Sequence, residues 1–399
     1  MILFVLVCVA CTTLVYKKEK SIVNPVTVFV SVWLLAVCLA SLRLSRWHDG
    51  IDGKTYLLLS LVIVAFSAAY VAMRRLILSK YRLSSPDGCL SVDKRLVKAL
   101  LIVWVAFAVV EVVYSGGFPL LWHIQGLDKT YFDFGIPSLH GLMNSVGLVI
   151  ILLCFYNVCA GGEKKRENIG IIIALLAYYI LLLTRQVVIS AVLEMAVVAF
   201  VMRNKRWSPG KIAVLLLFSI LAFGILGNVR TGYSEFMNVA QMRFDIPRPL
   251  VGFYWVYMYL SMTIANLNNL IIGNTEFVGL SAFSGVIPSV FAPILNLDTG
   301  FYSADFLVTP AFNVSGFFVN AYLGFGMMGA IVYSSIYGMV SSIASTRLRQ
   351  SVNEINILVY AVAVQVVALS FFDDMLLYLP CSFQVVILFA LAFLSKKLK

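Results

Sequence analysis

Charge is what this sequence has least of. Only 12% of its 399 residues are Asp, Glu, Lys or Arg, against about 25% in a soluble domain. That supply cannot cover a water-facing surface, and it excludes a soluble enzyme. Histidine is scarcer still, with three in the chain, and no Walker motif, Ser-His-Asp pattern or HExxH stands in the sequence. Pro (11) and Gly (26) follow no repeat, which removes the collagen-like and low-complexity classes. Six of the seven cysteines (Cys8, Cys11, Cys38, Cys154, Cys159, Cys381) lie inside apolar runs and Cys89 lies in a basic stretch, so none is placed for an extracytoplasmic disulfide. What is abundant is apolar surface: 61% hydrophobic residues, with 28 Phe, 19 Tyr and 6 Trp, and a mean hydropathy of +0.95. Lipid is the solvent such a chain requires, and the fold class expected is an all-α polytopic membrane protein.

Apolar runs that end in basic clusters recur at about residues 2 to 16, 24 to 44, 55 to 73, 97 to 114, 137 to 158, 169 to 183, 187 to 202, 211 to 227, 316 to 344, 355 to 372 and 378 to 394, about eleven spans. The first run has no basic residue before it and KKEK directly after it, the reverse of a cleavable signal peptide, so it is expected to remain as a span. With Met1 outside, 22 of the 30 Lys and Arg fall on inner segments. Only Arg43, Arg46, Lys54, Lys129, Arg185, Arg230, Arg243 and Arg248 face out. The positive-inside rule therefore sets the N-terminus outside and the C-terminus in the cytoplasm. The net charge of +11 is spread over short clusters between spans, which reads as topology and not as a nucleic-acid surface.

This pattern divides the chain into an N-terminal bundle of about eight spans (1–227), a large outer segment (228–315) and about three C-terminal spans (316–399). The stretch from Ile169 to Met202 is too long for one crossing, at about 50 Å of helix against a core of about 30 Å. Basic clusters at both its ends require an outer turn, and Thr184, Arg185 and Gln186 are its polar interruption. In the outer segment Tyr233, Phe236, Met237, Ala240 and Phe244 keep helical spacing opposite Ser234, Glu235, Asn238, Gln241 and Asp245, the pattern of an amphipathic helix lying on the membrane. Leu250 to Ile272 is long enough to span. Its aromatic start and Asn266, Asn268 and Asn269 suit an interfacial helix, and a crossing here would move the TRLR and SKKLK ends outside, so it is read as non-spanning.

Arg185 and Arg230 stand at the outer ends of spans, where a cation has no topological purpose. An Arg at membrane depth costs about 2.5 to 3.5 kcal/mol on insertion scales and needs a partner or a snorkelling route. Its guanidinium fork also matches a phosphate. Arg243 and Arg248 extend the outer cationic surface, where lipid headgroups are the other partner. His140, just after Pro137 at the start of a span, has the chemistry to take a proton from a hydroxyl, or to pack as an interface residue. Glu111 and Glu194 lie within spans and are expected to brace helices by hydrogen bonds. Asp373 and Asp374 are adjacent carboxylates without a nearby third ligand.

NPVTVF with Trp33, GGFPLL at 116 to 121, FGIPSLHGL at 134 to 142, TRQ at 184 to 186, GNVRTG at 227 to 232 and FNVSGFFVNAYLGFGMMGAIVYSSIYG at 312 to 338 resemble bacterial oligosaccharide repeat-unit polymerases, the Wzy-type O-antigen and capsule polymerases. The resemblance implies a C-type membrane glycosyltransferase in the inner membrane. It would move a glycan from undecaprenyl diphosphate to another lipid-linked repeat unit on the periplasmic face, without cofactor or metal, beside a chain-length-regulating co-polymerase. Arg185 and Arg230, helped by Arg243 or Arg248, would hold the diphosphate. His140 or an acid such as Glu235 would serve the acceptor hydroxyl. Trp122, Tyr131, Tyr233, Tyr254 and Trp255 would meet sugar rings. A lipid-linked oligosaccharide flippase and an O-antigen ligase are the alternative readings. The absence of internal repeats and the charge at the outer face favour an enzyme over the flippase, and residues 228–315 lack the outer-loop histidine of the ligases.

Overall fold

In a computed structural model the chain is described at all residues except 20, 22–23, 81–90, 138, 163, 203–209, 211–213, 215–223, 226, 230, 274–275, 285–292, 296–304 and 399. Cys89, Arg230 and most of the 211 to 227 run therefore lie outside the described residues. The elements are α1 (Ile2–Glu19), α2 (Pro25–Ser41), α3 (Gly53–Lys80), α4 (Lys94–Ser115), α5 (Pro119–Ile124), α6 (Leu139–Ala160), α7 (Lys165–Leu181), α8 (Arg185–Met202), α9 (Tyr233–Ala240), α10 (Val251–Ile272), α11 (Val319–Gln350), α12 (Glu354–Ala368) and α13 (Leu379–Lys397). Local signals set their ends. Asn24 caps α2 by accepting the Thr27 N–H at 2.9 Å, ahead of Pro25 in the first turn. Asp93 caps α4, which stops at Gly116 with φ +76°.

Seven helical stretches among the described residues are long and apolar enough to cross a membrane: Gly53–Ser79, Lys94–Ile124, Leu139–Ala160, Arg185–Met202, Arg248–Ile272, Val319–Gln350 and Leu379–Lys397. The protein is thus helical with the character of a membrane-spanning chain. The other expected runs among these residues are also helices, but shorter or charged at one end. Pro25–Ser41 has 17 residues and Glu354–Ala368 has 15, about 25 and 22 Å of rise; α1 ends in KKE and α7 begins with KRE. Arg248–Ile272, read from charge as lying outside, meets the length and hydropathy of a span.

The contacts gather into two units, and these cut across the three linear segments expected from the sequence. The first holds Met1–Arg82, Tyr233–Thr346 and Val366–Tyr378. Here α11 seats on α3 through a small-residue stripe. Ser334 donates to the Val62 carbonyl and Ser342 to that of Tyr70, both at 2.8 Å, with Gly338 between them against the Phe66 carbonyl. Such stripes let backbones approach inside lipid. Phe29 stacks on Phe66 at 4.1 Å, and the Trp33 indole donates to Ser370 Oγ at 3.1 Å. The asparagines that interrupt the apolar end of α10 are clamps. Asn266 donates to the Phe312 and Val314 carbonyls and accepts from Val308 N–H, while Asn268 accepts from Asp52 N–H and Thr55 Oγ1.

The amphipathic helix of the outer segment is shorter than its hydrophobic stripe. It ends at Ala240, because Gln241 takes φ +44° and its carbonyl accepts the Arg46 N–H at 2.9 Å. The chain then bridges Ser45 to Met242, leaving Phe244 outside the helix. The apolar face of α9 turns to protein rather than to lipid: Phe236 is fully buried, 4.8 Å from the Trp255 ring of α10.

The second unit holds Leu83–Gly232, Arg347–Gln365 and Leu379–Lys399. Its centre is α6, buried without interruption from Met143 to Phe155 and packed by α4, α7, α8 and α13. Gly147 permits this, since a Cβ there would stand 1.9 Å from the Tyr179 hydroxyl. By contrast α4 exposes Ile102, Val103, Val105, Val109, Val110 and Val113, an apolar stripe suited to lipid. α7 and α8 form the expected hairpin. Leu183 takes φ +58° and Thr184 Oγ1 donates to the Tyr179 carbonyl at 3.1 Å, so the turn occupies Leu182–Thr184 and Arg185 begins α8.

Candidate functional site

In the second unit the structure joins two residues that stand 29 apart in sequence. Glu111 lies one turn before the end of α4, and the chain returns from α5 through a turn at Phe134–Pro137 into α6. His140, in the first turn of α6, sets Nδ1 3.1 Å from both Glu111 carboxylate oxygens. Glu111 is 2% exposed, and the His140 side chain 23%. The loop between them is tied down: Ile136 N–H donates to Glu111 Oε1 at 3.3 Å, and Gly135 N–H to Ser115 Oγ at 2.9 Å. Gly135 is obligatory here. It holds φ +94°, and a Cβ would stand 2.7 Å from His140 Cγ. The Phe134 ring meets the imidazole edge-on at 5.5 Å. An imidazole that donates Nδ1–H to Glu111 leaves the Nε2 lone pair free, the state required of a general base.

Arg185 belongs to the same unit and is 8% exposed. The short α6–α7 and α7–α8 connections reverse the chain twice while α6 packs on both α7 and α8. The N-termini of α6 and α8, carrying His140 and Arg185, therefore share one end of the helices. Between α4 and α7 runs an apolar groove of 490 Å³, lined along its length by Leu101, Trp104, Ala108, Val112, Phe118 and Tyr178. It reaches the level of Glu111 at Val112.

The first unit assembles a cationic surface. The Ser45–Met242 bridge sets Arg46 N–H on the Gln241 carbonyl and Arg243 N–H on the Leu44 carbonyl, each at 2.9 Å. Arg43, Arg46, Arg243 and Arg248 are all exposed. The Arg248 guanidinium lies 5.3 Å over the Tyr233 ring, whose hydroxyl donates to the Ile246 carbonyl at 2.8 Å. Tyr254 is half-buried beside Phe244 at 5.7 Å, and Glu235 is exposed on α9. Behind this surface His48 is buried. Desolvation, with Arg243 acting in the same direction, outweighs the Ser45 carbonyl and Asp49 and lowers its pKa from 6.5 to about 4.

The aromatic candidates divide by burial. Trp122 and Trp255 are core residues. Trp122 donates to the Gly116 carbonyl at 3.4 Å with Lys129 over its face, and Trp255 is enclosed by Phe236, Tyr259 and Phe312. Their ring faces are occupied, so neither is an open platform for a sugar. Tyr131, Tyr233 and Tyr254 remain half-buried. The carboxylate pair also resolves: Asp374 accepts from the Tyr333 and Tyr337 hydroxyls, while Asp373 is exposed. Burial raises the Asp374 pKa from its ordinary value, against the lowering effect of the tyrosine hydroxyls.

Sequence reading missed Glu111 as the partner of His140 and Arg46 as the neighbour of Arg243. No linear spacing announces either pairing; the nearest signal was FGIP, whose Gly and Pro mark a turn directly before His140. The chain matches no protein-family model, no curated protein and no solved structure.

Proposed function

We propose that this chain is a membrane glycosyltransferase that polymerises undecaprenyl-diphosphate-linked repeat units at the periplasmic face of the inner membrane. In this reading it has eleven spans, the N-terminus outside, the C-terminus in the cytoplasm and a chain-length-regulating partner. One observation carries it: a histidine paired through Nδ1 to a buried carboxylate, on the same helix end as a buried arginine. The oxygen of an acceptor sugar hydroxyl attacks the donor's anomeric carbon. Its proton passes to His140 Nε2, and the resulting imidazolium is stabilised by Glu111. The bond from the anomeric carbon to the diphosphate oxygen breaks, and the diphosphate leaves with the bonding pair against the Arg185 guanidinium. The groove along α4 and α7 suits the donor's polyprenyl chain, because it is apolar and passes the level of Glu111 at Val112. The exposed arginines of the first unit suit lipid headgroups or acidic sugars.

The test is extension of a synthetic undecaprenyl-diphosphate repeat unit by purified protein. Both His140→Ala and Glu111→Gln should lower turnover by about a hundredfold or more, with donor binding retained. A His140→Ala protein that still builds full-length polymer refutes the assignment.

A second reading, transport of the lipid-linked oligosaccharide, is favoured by the polar residues Glu194, Gln365 and Gln384 buried within the second unit. The glycan of a deletion strain separates the two. Loss of a polymerase leaves single repeat units exported on lipid, and loss of a transporter traps them on the cytoplasmic side.

A further inference from the structure

The first turns of α4 and α7 meet the far end of α6 around a second cavity, of 250 Å³, at the opposite end of these helices from His140. Lys94, Arg95 and Lys98 of α4 line one side of it, and Lys164 and Glu167 the other. Lys164 is engaged by Glu167 at 2.9 Å. Lys94, Arg95 and Lys98 form no ion pair among the described residues. Their own helix gives them no support, because cations in a first turn oppose its dipole and Lys94 repels Lys98 across one turn. Topology asks only that cations gather on one side of the bilayer. It does not require them to line a cavity.

This cavity adjoins the apolar groove between α4 and α7, since Leu101 and Ile171 line both. Val105, Val109 and Val113 of the groove belong to the exposed stripe of α4, so it opens where lipid would lie. The joined space is cationic at one end and apolar along its length. A ligand that fills it carries negative charge at its head and a hydrocarbon tail. Free phosphate would leave the groove empty, and a zwitterionic lipid would bring a cation of its own to three that are already unpaired. An anionic phospholipid meets both ends, with a phosphodiester for the Arg95 fork and the two lysines.

We propose that Lys94, Arg95 and Lys98 bind the head group of an anionic phospholipid, whose acyl chains pass Leu101 and Ile171 into the groove. Glu111 lies 13 residues beyond Lys98 along α4, about 20 Å away, so the site does not depend on the transferase reading. A polyprenyl chain at the level of Val112 would use the other end of the groove. Thermal unfolding of the full chain in a neutral detergent tests the site, with phosphatidylglycerol, phosphatidylcholine of the same acyl chains, or glycerol phosphate added in turn. Phosphatidylglycerol should raise the midpoint by a few degrees and saturate, and the other two should leave it unmoved. Lys94→Gln, Arg95→Gln and Lys98→Gln combined should abolish the shift, while Lys17→Gln with Lys18→Gln, at the basic end of α1, should retain it. If the triple variant does not fold, Leu101→Trp, which fills the junction without altering a charge, should reduce the shift. No shift with phosphatidylglycerol, an equal shift with phosphatidylcholine or a shift with glycerol phosphate alone would overturn the proposal. So would a full shift in the triple variant or in Leu101→Trp, or an equal loss in the Lys17 and Lys18 control.

Discussion

The His140–Glu111 pair rests on a glycine. At φ +94° any other residue is strained by about 1 to 3 kcal/mol, and a side chain at Gly135 must also push the imidazole off the carboxylate. Gly135→Ala should therefore cost activity out of proportion to stability. The expected result is a midpoint of thermal unfolding lower by a few degrees and, under the proposed transferase function, a loss of repeat-unit extension approaching that of His140→Ala. Near-normal activity of Gly135→Ala in the extension assay of the proposed function would show that the dyad geometry is unimportant. Burial separates the other single residues in the same way. Arg243 and Trp255 are both attractive in a linear reading, but one is exposed and the other has its ring enclosed, so only the first is free to meet a ligand.

Among the elements, the contact of α11 with α3 is the least tolerant of added volume. A Cβ at Gly338 would stand 2.3 Å from the Phe66 carbonyl, a backbone atom held inside its own helix. Gly338→Val should destabilise the first unit by at least the 1 to 3 kcal/mol typical of overpacking, seen as a fall in thermal midpoint. Gly170→Ala is the matching control. Nothing lies within 4 Å of a Cβ there, and replacing a helical Gly by Ala should hold or slightly raise the midpoint. Equal effects at the two positions would contradict the small-residue stripe. A second element-scale consequence concerns the loop after α2. His48 is held neutral in the folded protein at a pKa of about 4, against 6.5 when unfolded. Between these values the unfolded chain binds more protons, so stability is complete above pH 6.5 and falls as pH drops toward 4. The slope amounts to about 3 kcal/mol over the window. It should be missing in His48→Gln, and acid unfolding curves of the two proteins that superimpose would disprove this.

At the scale of the molecule, the path of the chain through the membrane follows from where α10 lies. With eleven spans and α10 outside, a cysteine at Asp128 is labelled by an impermeant maleimide in intact cells, and one at Lys397 is protected. If α10 also crosses, Lys397 becomes accessible, and the orientation drawn from the basic clusters fails for the C-terminal helices. Much of this architecture was legible without coordinates, because the cause is local. Long apolar runs form helices suited to lipid, and Asn24, Asp93 and Gly116 mark helix ends within a turn of where they act. That a hairpin interrupts Ile169–Met202 was readable for the same reason, since helix rise and bilayer thickness demand a reversal, but its turn closes at Leu182–Thr184 and not around Arg185, which opens the next helix. The pairings that carry chemistry were not readable. Glu111 with His140, Arg46 with Gln241 and Glu194 with Gln384 join residues 29, 195 and 190 positions apart. Which helix face meets which is settled by close packing around α6 and beneath α11, where Gly147 and Gly338 admit their neighbours. In a chain apolar on nearly every side, hydrophobicity marks where the helices are but does not distinguish the faces that touch.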